Sequence, residues 1–318
     1  MARALVTGGG GFVGQWLAKA LLREGTEVVA AGVLVHTSPA LTPAEWESVD
    51  WQELDVRIDG EIDVLLEHVR PDVVYHLAGV SYIPDAQDAP AEAYDVNVLG
   101  AVRLLSAISR GRRSGHFDPK VLVVGSGMQY GRHAPEEMPL PETATQAPLT
   151  VYAATKAAQE VAALQAFRAD GVRVVCTRSF NHSGPGHSAH FLLPALVRRA
   201  LDLRTSGERV LAMGNGDAVR DYLHVHDVAS AYMLLAERGE PGEVYNVCSG
   251  EGVTARQLAS DVLMRLGITA DISTDPALVR SADVSTLIGS PSKLQALGWR
   301  RTRSRDDIID DLIHAETH

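Results

Sequence analysis

The chain has 318 residues, 46% of them apolar and 5% aromatic, with a formal net charge of −11. That length suits one large α/β domain or a domain with a smaller lobe, and the apolar share can fill a sizeable core. The negative balance disfavours nucleic acid or anionic lipid as a partner for the surface as a whole, but leaves room for a local basic pocket that takes a diphosphate.

In chain order, Ala2–Thr7 reads as a strand, Gly14–Glu24 as an amphipathic helix and Glu27–Ala31 as a second strand. A helix near Ile62–Val69 precedes a strand at Val73–His76. Ala91–Arg110 reads as one long helix, Lys120–Gly125 as a strand, Tyr152–Asp170 as a helix and Arg173–Arg178 as a strand. Strand and helix in alternation mean βαβ units, hence a doubly wound parallel sheet of the Rossmann kind with helices on both faces. Abundant Ala, Val and Leu with few aromatics fit that class. After about residue 180 the pattern loosens at Gly184-Pro185-Gly186. Helices follow near Leu192–Leu203, Val225–Glu237 and Ala255–Leu266, with short strands near Val210–Met213 and Tyr245–Val247. The expected organisation is a dinucleotide-binding domain over 1–180, with later segments crossing back to it, and a smaller, mainly substrate-binding lobe over 181–318.

Cys176 and Cys248 sit in apolar stretches, which predicts buried thiols in a reducing compartment. No Cys/His spacing suits zinc. His182, His187 and His190 cluster, but their spacing does not place them on one helix face, so polar loop groups near a sugar are expected rather than a metal site. The start of the chain runs straight into a strand, and no apolar run approaches bilayer length; a cytoplasmic protein is expected.

Gly8, Gly11 and Gly14 space a G-x-x-G-x-x-G loop between the first strand and the first helix, with Phe12 and Val13 at the helix start. Glycine allows the tight turn and lets backbone amides approach a pyrophosphate, which then faces the positive end of the helix. The slot at the end of the second strand falls near Gly32, with Val33 and Leu34 after it. Neither the acidic residue that would hold the ribose of NAD nor an arginine for a 2′-phosphate stands there; His36, Thr37 and Ser38 lie further on. NAD and NADP therefore both remain open. Asp55, with Val56, suits the adenine edge or else caps a loop.

Tyr152 and Lys156 form Y-x-x-x-K, whose i, i+4 spacing puts both on one helix face. The lysine cation is expected to lower the tyrosine pKa from about 10 and to hold the nicotinamide ribose. Ser126 follows a strand at the carboxyl end of the sheet, where its hydroxyl can donate to a sugar oxygen while Tyr152 passes a proton. The hydride would belong to the nicotinamide.

On these residues the chain resembles the extended short-chain dehydrogenases, the NAD-dependent epimerase/dehydratase family, over nearly its whole length. Tyr75-His76-Leu77-Ala78-Gly79 is similar to the family's H-L-A-A segment, which lines the cofactor. Asn97-Val98-Leu99-Gly100 resembles its N-V-x-G motif, and Ser126 through Tyr130-Gly131 its S-x-x-x-Y-G segment. Arg178-Ser179-Phe180-Asn181 with Gly184-Pro185 resembles R-x-F-N-x-x-G-P, and Arg220 through Val228 resembles R-D-F-x-x-V-x-D-V. The resemblance implies a Ser126–Tyr152–Lys156 triad, with Leu77, Ala78, Gly79, Asn97 and Phe180 beside the cofactor. It also implies substrate-diphosphate contacts from Asn181 and Arg220, closed over by Arg280; arginine presents a donor fork that fits phosphate, although either could instead serve a surface ion pair. Family members often dimerise through two helices each, here Ala91–Arg110 and Tyr152–Asp170. Within the family, the stretches around Tyr82 and Pro84, Phe180–Gly186 and Val244–Gly250 look most like the subgroup that reduces GDP-4-keto-6-deoxymannose. A 4,6-dehydratase carries a carboxylate near the catalytic hydroxyl, but Gly127, Met128 and Gln129 follow Ser126, so dehydration is disfavoured; Met128 is expected to pack against the sugar or the core. Reduction of a 4-keto nucleotide sugar ranks first, 4-epimerisation of a hexose or heptose nucleotide with tightly held NAD second, and a non-catalytic dinucleotide sensor last.

Overall fold

In the computed structural model, which describes residues 2–33, 40–279 and 284–317, short apolar runs become the strands of one central sheet. The strands are β1 (Arg3–Thr7), β2 (Glu27–Gly32), β3 (Asp50–Glu53), β4 (Val73–His76), β5 (Lys120–Ser126) and β6 (Arg173–Ser179). Beyond them lie β7 (Asn181–Ser183), β8 (Val210–Met213), β9 (Val219–His224) and β10 (Val244–Val247). The main sheet has seven strands in the order β10-β6-β5-β4-β1-β2-β3, and every pairing is parallel. Alternate side chains fill opposite faces, as the pleat requires. Ala4, Val6, Val28 and Ala30 pack with helices Phe12–Arg23 and Val225–Arg238. Leu5, Val29, Val74 and Val121 pack on the other face with helices Glu61–Val69, Gly100–Ser114 and Val151–Asp170.

Strand order reverses between β1 and β4. Open α/β sheets place ligands in the crevice at such a switch point, outside the carboxyl ends of the strands. The turns after Thr7 and His76 border that crevice, and the buried Thr7 hydroxyl joins them by meeting His76 Nδ1 at 2.8 Å.

The later residues build the crevice's other wall. β9 pairs with β7 and with β13 (Thr286–Leu287) in parallel and with β11 (Gly252–Thr254) antiparallel, while β8 pairs with β12 (Asp271–Thr274). Their core joins Leu196 and Val197 of helix Leu192–Ser206 to Leu258 and Val262 of helix Ala255–Leu266 and to Ile308 and Leu312 of helix Arg305–Thr317.

Three readings of the sequence change. β3 was not anticipated because Asp50-Trp51-Gln52-Glu53 is a polar edge strand with no apolar run. The strand expected near Tyr245 joins the main sheet as its far edge. The helix expected over Ala91–Arg110 is broken into Pro90–Tyr94, a π-turn at Asp95–Leu99 and Gly100–Ser114. Such bulges widen a helix locally and often sit at functional sites; here Gly100 packs so closely that a Cβ would lie 2.7 Å from Val56 Cγ2.

Candidate active site

A cleft of about 1210 Å³ runs from the glycine loop, past the carboxyl ends of β4 and β5, to β9. Gly8 turns with φ +70°, and a Cβ there would meet the Ala78 nitrogen at 2.7 Å. A Cβ on Gly14 would lie 2.6 Å from the carbonyl oxygens of Gly8 and Gly9. Both glycines are thus demanded by close backbone approach. Gly11 caps helix Phe12–Arg23, and Gln15 N–H donates to the Gly11 carbonyl, so the N–H groups of Phe12, Val13 and Gly14 have no partner within the helix. These residues fit a pyrophosphate.

Asp55, Val56, Leu77, Ala78, Gly79 and Phe180 all line the cleft. Asp55 pairs with Arg57, whose guanidinium holds its carboxyl below the usual range and reaches Glu92 as well. Asn97 is off the cleft wall: buried, it clamps Val80 by accepting from the Val80 N–H at 2.8 Å and donating to the Val80 carbonyl and the Thr155 hydroxyl. Its amide supports the wall from behind.

Ser126 ends β5 and caps the short turn Gly127–Tyr130. Its hydroxyl accepts from the Met128 N–H at 3.2 Å, which leaves its hydrogen free to donate. Tyr152 sits in the first turn of helix Val151–Asp170, behind the Thr150 cap, near enough to the Ser126 hydroxyl for that group to lower the phenol's pKa. Burial raises the Tyr152 pKa and the Ser126 bond opposes the rise.

The lysine behaves differently from expectation. Lys156 Nζ donates to the Val124 carbonyl and to Gln159 Oε1, each at 2.9 Å, and burial brings its pKa down to about 8. The Tyr152 pKa is raised by burial and lowered by the Ser126 hydroxyl, with the ammonium engaged elsewhere. The spacing of Tyr152 and Lys156 places both on one helix face, as expected, but the carbonyl of Val124 on β5 captures the ammonium.

On the opposite wall Asn181 opens β7, and Arg220, on β9, is buried with Nη1 on the Val219 carbonyl. Both line the cleft, as do Tyr82 and Met128. Met128 also packs against the cluster of Tyr130, Leu140 and Phe180, which is the core contact of the two that were expected. Arg280 lies outside the described residues, as do Leu34, His36, Thr37 and Ser38. His187 stacks between Phe12 at 4.5 Å and Phe191 at 4.3 Å, and burial holds it neutral with a pKa of about 3. Among the described residues no group of three or more His, Cys, Asp or Glu could hold a metal.

Sequence reasoning missed the residues behind the serine: Gln129, Gln159, Glu160 and, in any role beyond a motif letter, Arg178. Two signals were present. Ser126 and Gln129 have capping-box spacing, and Glu160 repeats the i+4 step of Tyr152 and Lys156.

The chain matches the family model described as GDP-mannose 4,6 dehydratase over residues 5–312. It is 34% identical to the GDP-6-deoxy-D-mannose reductase of Pseudomonas aeruginosa, across 94% of this chain and 91% of that protein. The structure of RMD from Pseudomonas aeruginosa complexed with NADPH superposes with a TM-score of 0.80 at 31% identity, covering 99% of this chain and 98% of the other. The Thermus thermophilus UDP-glucose 4-epimerase complex with NAD gives 0.84 at 29% identity, covering 98% of each chain.

Proposed function

This chain belongs to the GDP-mannose 4,6-dehydratase family, and on that footing we propose that it is an NAD(P)-dependent oxidoreductase that reduces a 4-keto nucleotide sugar of the GDP-4-keto-6-deoxymannose type. The observation that carries the reaction type is the distribution of carboxylates. Among the described residues lining the cleft, the acidic ones are Asp55 and Glu92, and both pair with Arg57. Neither is beside Ser126, where Gly127 and Met128 line the wall and Gln129 is turned into the protein. Eliminating water across C5 and C6 needs an acid–base group for carbon as well as oxygen. Chemistry at C4 alone needs only a hydroxyl donor and a proton carrier.

The glycine loop and the first turn of helix Phe12–Arg23 would hold the pyrophosphate of the dinucleotide, and Lys156 its nicotinamide ribose. Bound there, the nicotinamide supplies the hydride. Ser126 donates its hydrogen to the C4 oxygen and fixes the carbonyl, and Tyr152 delivers the proton as the oxygen gains charge. Arg220 and Asn181, with Arg280, would hold the diphosphate. In domain terms, residues 1–180 with β10 and helix Val225–Arg238 would serve the dinucleotide, and the rest of 181–318 mainly the sugar nucleotide.

The closest alternative is 4-epimerisation, supported by the likeness to the Thermus enzyme. One assay separates them. Purified protein given GDP-4-keto-6-deoxymannose and NADPH or NADH should oxidise one nicotinamide per sugar reduced. Protein that carries NAD through purification and interconverts C4 epimers without added cofactor would reverse the order, and inertness toward both would reject the reading.

The chain would work as a cytoplasmic homodimer. Val102 and Val161, on neighbouring helices of one face, are 38% and 65% exposed, and burying them needs a second surface. Light scattering of the wild type and of Val161→Glu tests this: the wild type should be dimeric and the variant should shift toward monomer.

A further inference from the structure

We propose that the buried Glu160–Arg178 ion pair is a positioning device for the Ser126 hydroxyl, acting through the side-chain amide of Gln129. The inference rests on the role given to Ser126 above.

Glu160, Arg178 and Gln129 are all buried, and none lines the cleft. Arg178 donates to both carboxylate oxygens of Glu160, Nε at 2.9 Å and Nη2 at 2.7 Å, in a forked geometry that engages both oxygens as acceptors. Gln129 Nε2 donates to Glu160 Oε2 at 2.9 Å, and Gln129 Oε1 accepts from the Ser126 N–H at 2.7 Å. Gln146 occupies the other carboxylate oxygen from its own amide at 2.6 Å. The guanidinium is itself fixed, by the Glu142 carbonyl at 2.9 Å and over the Tyr130 ring at 4.7 Å.

The logic lies in donor and acceptor types. An ionised carboxylate only accepts, and a backbone N–H only donates. A glutamine bridging the two has one satisfying orientation, with nitrogen toward Glu160 and oxygen toward Ser126. A neutral amide at residue 160 could present a donor as well as an acceptor, and would leave the orientation to the Ser126 N–H and to Gln146, whose Oε1 accepts from Gln129 Nε2 at 3.2 Å. The carboxylate therefore reinforces the amide orientation that the Ser126 N–H also requires, and that orientation pins the backbone of Ser126, whose hydroxyl is turned by its bond from Met128 N–H.

The fold makes room for this arrangement in a way packing alone does not require. Gly125 and Arg178 are register partners on β5 and β6. A Cβ on Gly125 would sit 2.4 Å from Gln129 Oε1, so glycine there admits the amide. Tyr152, Lys156 and Glu160 follow one another at one-turn spacing on helix Val151–Asp170. The same helix face thus delivers the tyrosine and the carboxylate that aims the serine, and the two hydroxyls are placed relative to one rigid element.

The test uses the full chain with Gln129→Met and Glu160→Gln, each alone and in the Ser126→Ala background, assayed with GDP-4-keto-6-deoxymannose and NADPH. Gln129→Met should lower kcat by about tenfold or more while the KM for either substrate moves by less than about twofold. In the Ser126→Ala background the same change should alter kcat by less than about twofold, because the group it aims is gone. An equal loss in both backgrounds, or no loss in the first, overturns the proposal. Should Glu160→Gln fail to fold, Gln129→Met carries the test alone. A crystal structure of Gln129→Met reads the same claim without turnover: the Ser126 hydroxyl should leave Tyr152, and an unmoved Ser126–Tyr152 pair would reject the device even if the sugar proves not to be a substrate. Inertness of the wild type toward that sugar would instead count against the proposed function.

Discussion

Lys156 Nζ donates to the carbonyl of Val124, 2.9 Å away and two residues before Ser126 on the same strand. The ammonium is therefore tied to the strand that carries the serine, and its charge is spent on a backbone dipole and on Gln159. The acid–base character of Tyr152 is set by burial, which raises its pKa, against the Ser126 hydroxyl, which lowers it. A phenol kept protonated at neutral pH suits the proton-donating direction, which is reduction.

Lys156 should leave a mark on stability. Its pKa falls from 10.5 to about 8 in the folded protein because burial disfavours the charged form. Above about 10.5 both folded and unfolded chains hold it neutral and it costs nothing. As pH falls from there to 8 the unfolded chain takes up the proton first, so the folded state loses ground, and below 8 the penalty is complete. Wild-type stability relative to Lys156→Met should rise between about pH 7 and 10.5, by up to about 3 kcal/mol. Denaturant unfolding of both proteins across that range checks it, and a flat difference contradicts it.

Tyr152→Phe should reduce kcat by about 10²- to 10⁴-fold with little change in the dissociation constant for NADPH. Ser126→Ala should cost a comparable amount, and the double variant little more, because the two hydroxyls act on one proton. Steady-state kinetics and a fluorescence titration with NADPH read both quantities. Full turnover by Tyr152→Phe would revive the dinucleotide-sensor reading.

Two glycines should respond oppositely to alanine. Gly14→Ala forces a Cβ to 2.6 Å from two carbonyl oxygens of the loop and should abolish dinucleotide binding and lower Tm. Gly25 also has positive φ, +74°, but a Cβ there meets nothing within 4 Å. Gly25→Ala should therefore cost only about 1 kcal/mol of backbone strain and leave cofactor affinity intact. Calorimetry of NADPH binding to the two variants distinguishes a ligand-bearing loop from a merely tight turn.

Arg220→Met should raise the KM for the nucleotide sugar while leaving NADPH affinity unchanged. A hydrogen bond from a charged donor contributes about 1.5–3 kcal/mol, or roughly tenfold to a hundredfold in KM. Equal weakening of both ligands would show that the arginine supports the fold of β9 instead of the diphosphate.

Much of the site was legible because its signals are local. The glycine spacing at Gly8, Gly11 and Gly14, the tyrosine and lysine one turn apart, and the strand ending at Ser126 each depend on neighbours in sequence. The edge strand β3 and the break at Asp95–Leu99 were not legible, since a polar strand has no hydrophobic period and a π-turn has no local composition signal. Asn97 shows the limit of a motif: its letter is recognisable, but its orientation toward Val80 and Thr155 comes from how that break meets two other segments.

The amino-acid order alone determined the alternation of strands and helices, the glycine turn after the first strand and the residues able to carry a proton, because backbone geometry and side-chain period act over a few residues. Tertiary structure alone decided where Lys156 spends its charge, that Arg57 reaches Glu92, and that Glu160 pairs with Arg178 and reaches the serine backbone through Gln129. Those outcomes depend on which donors and acceptors from distant segments compete in a water-poor interior, and a linear pattern holds no record of that competition.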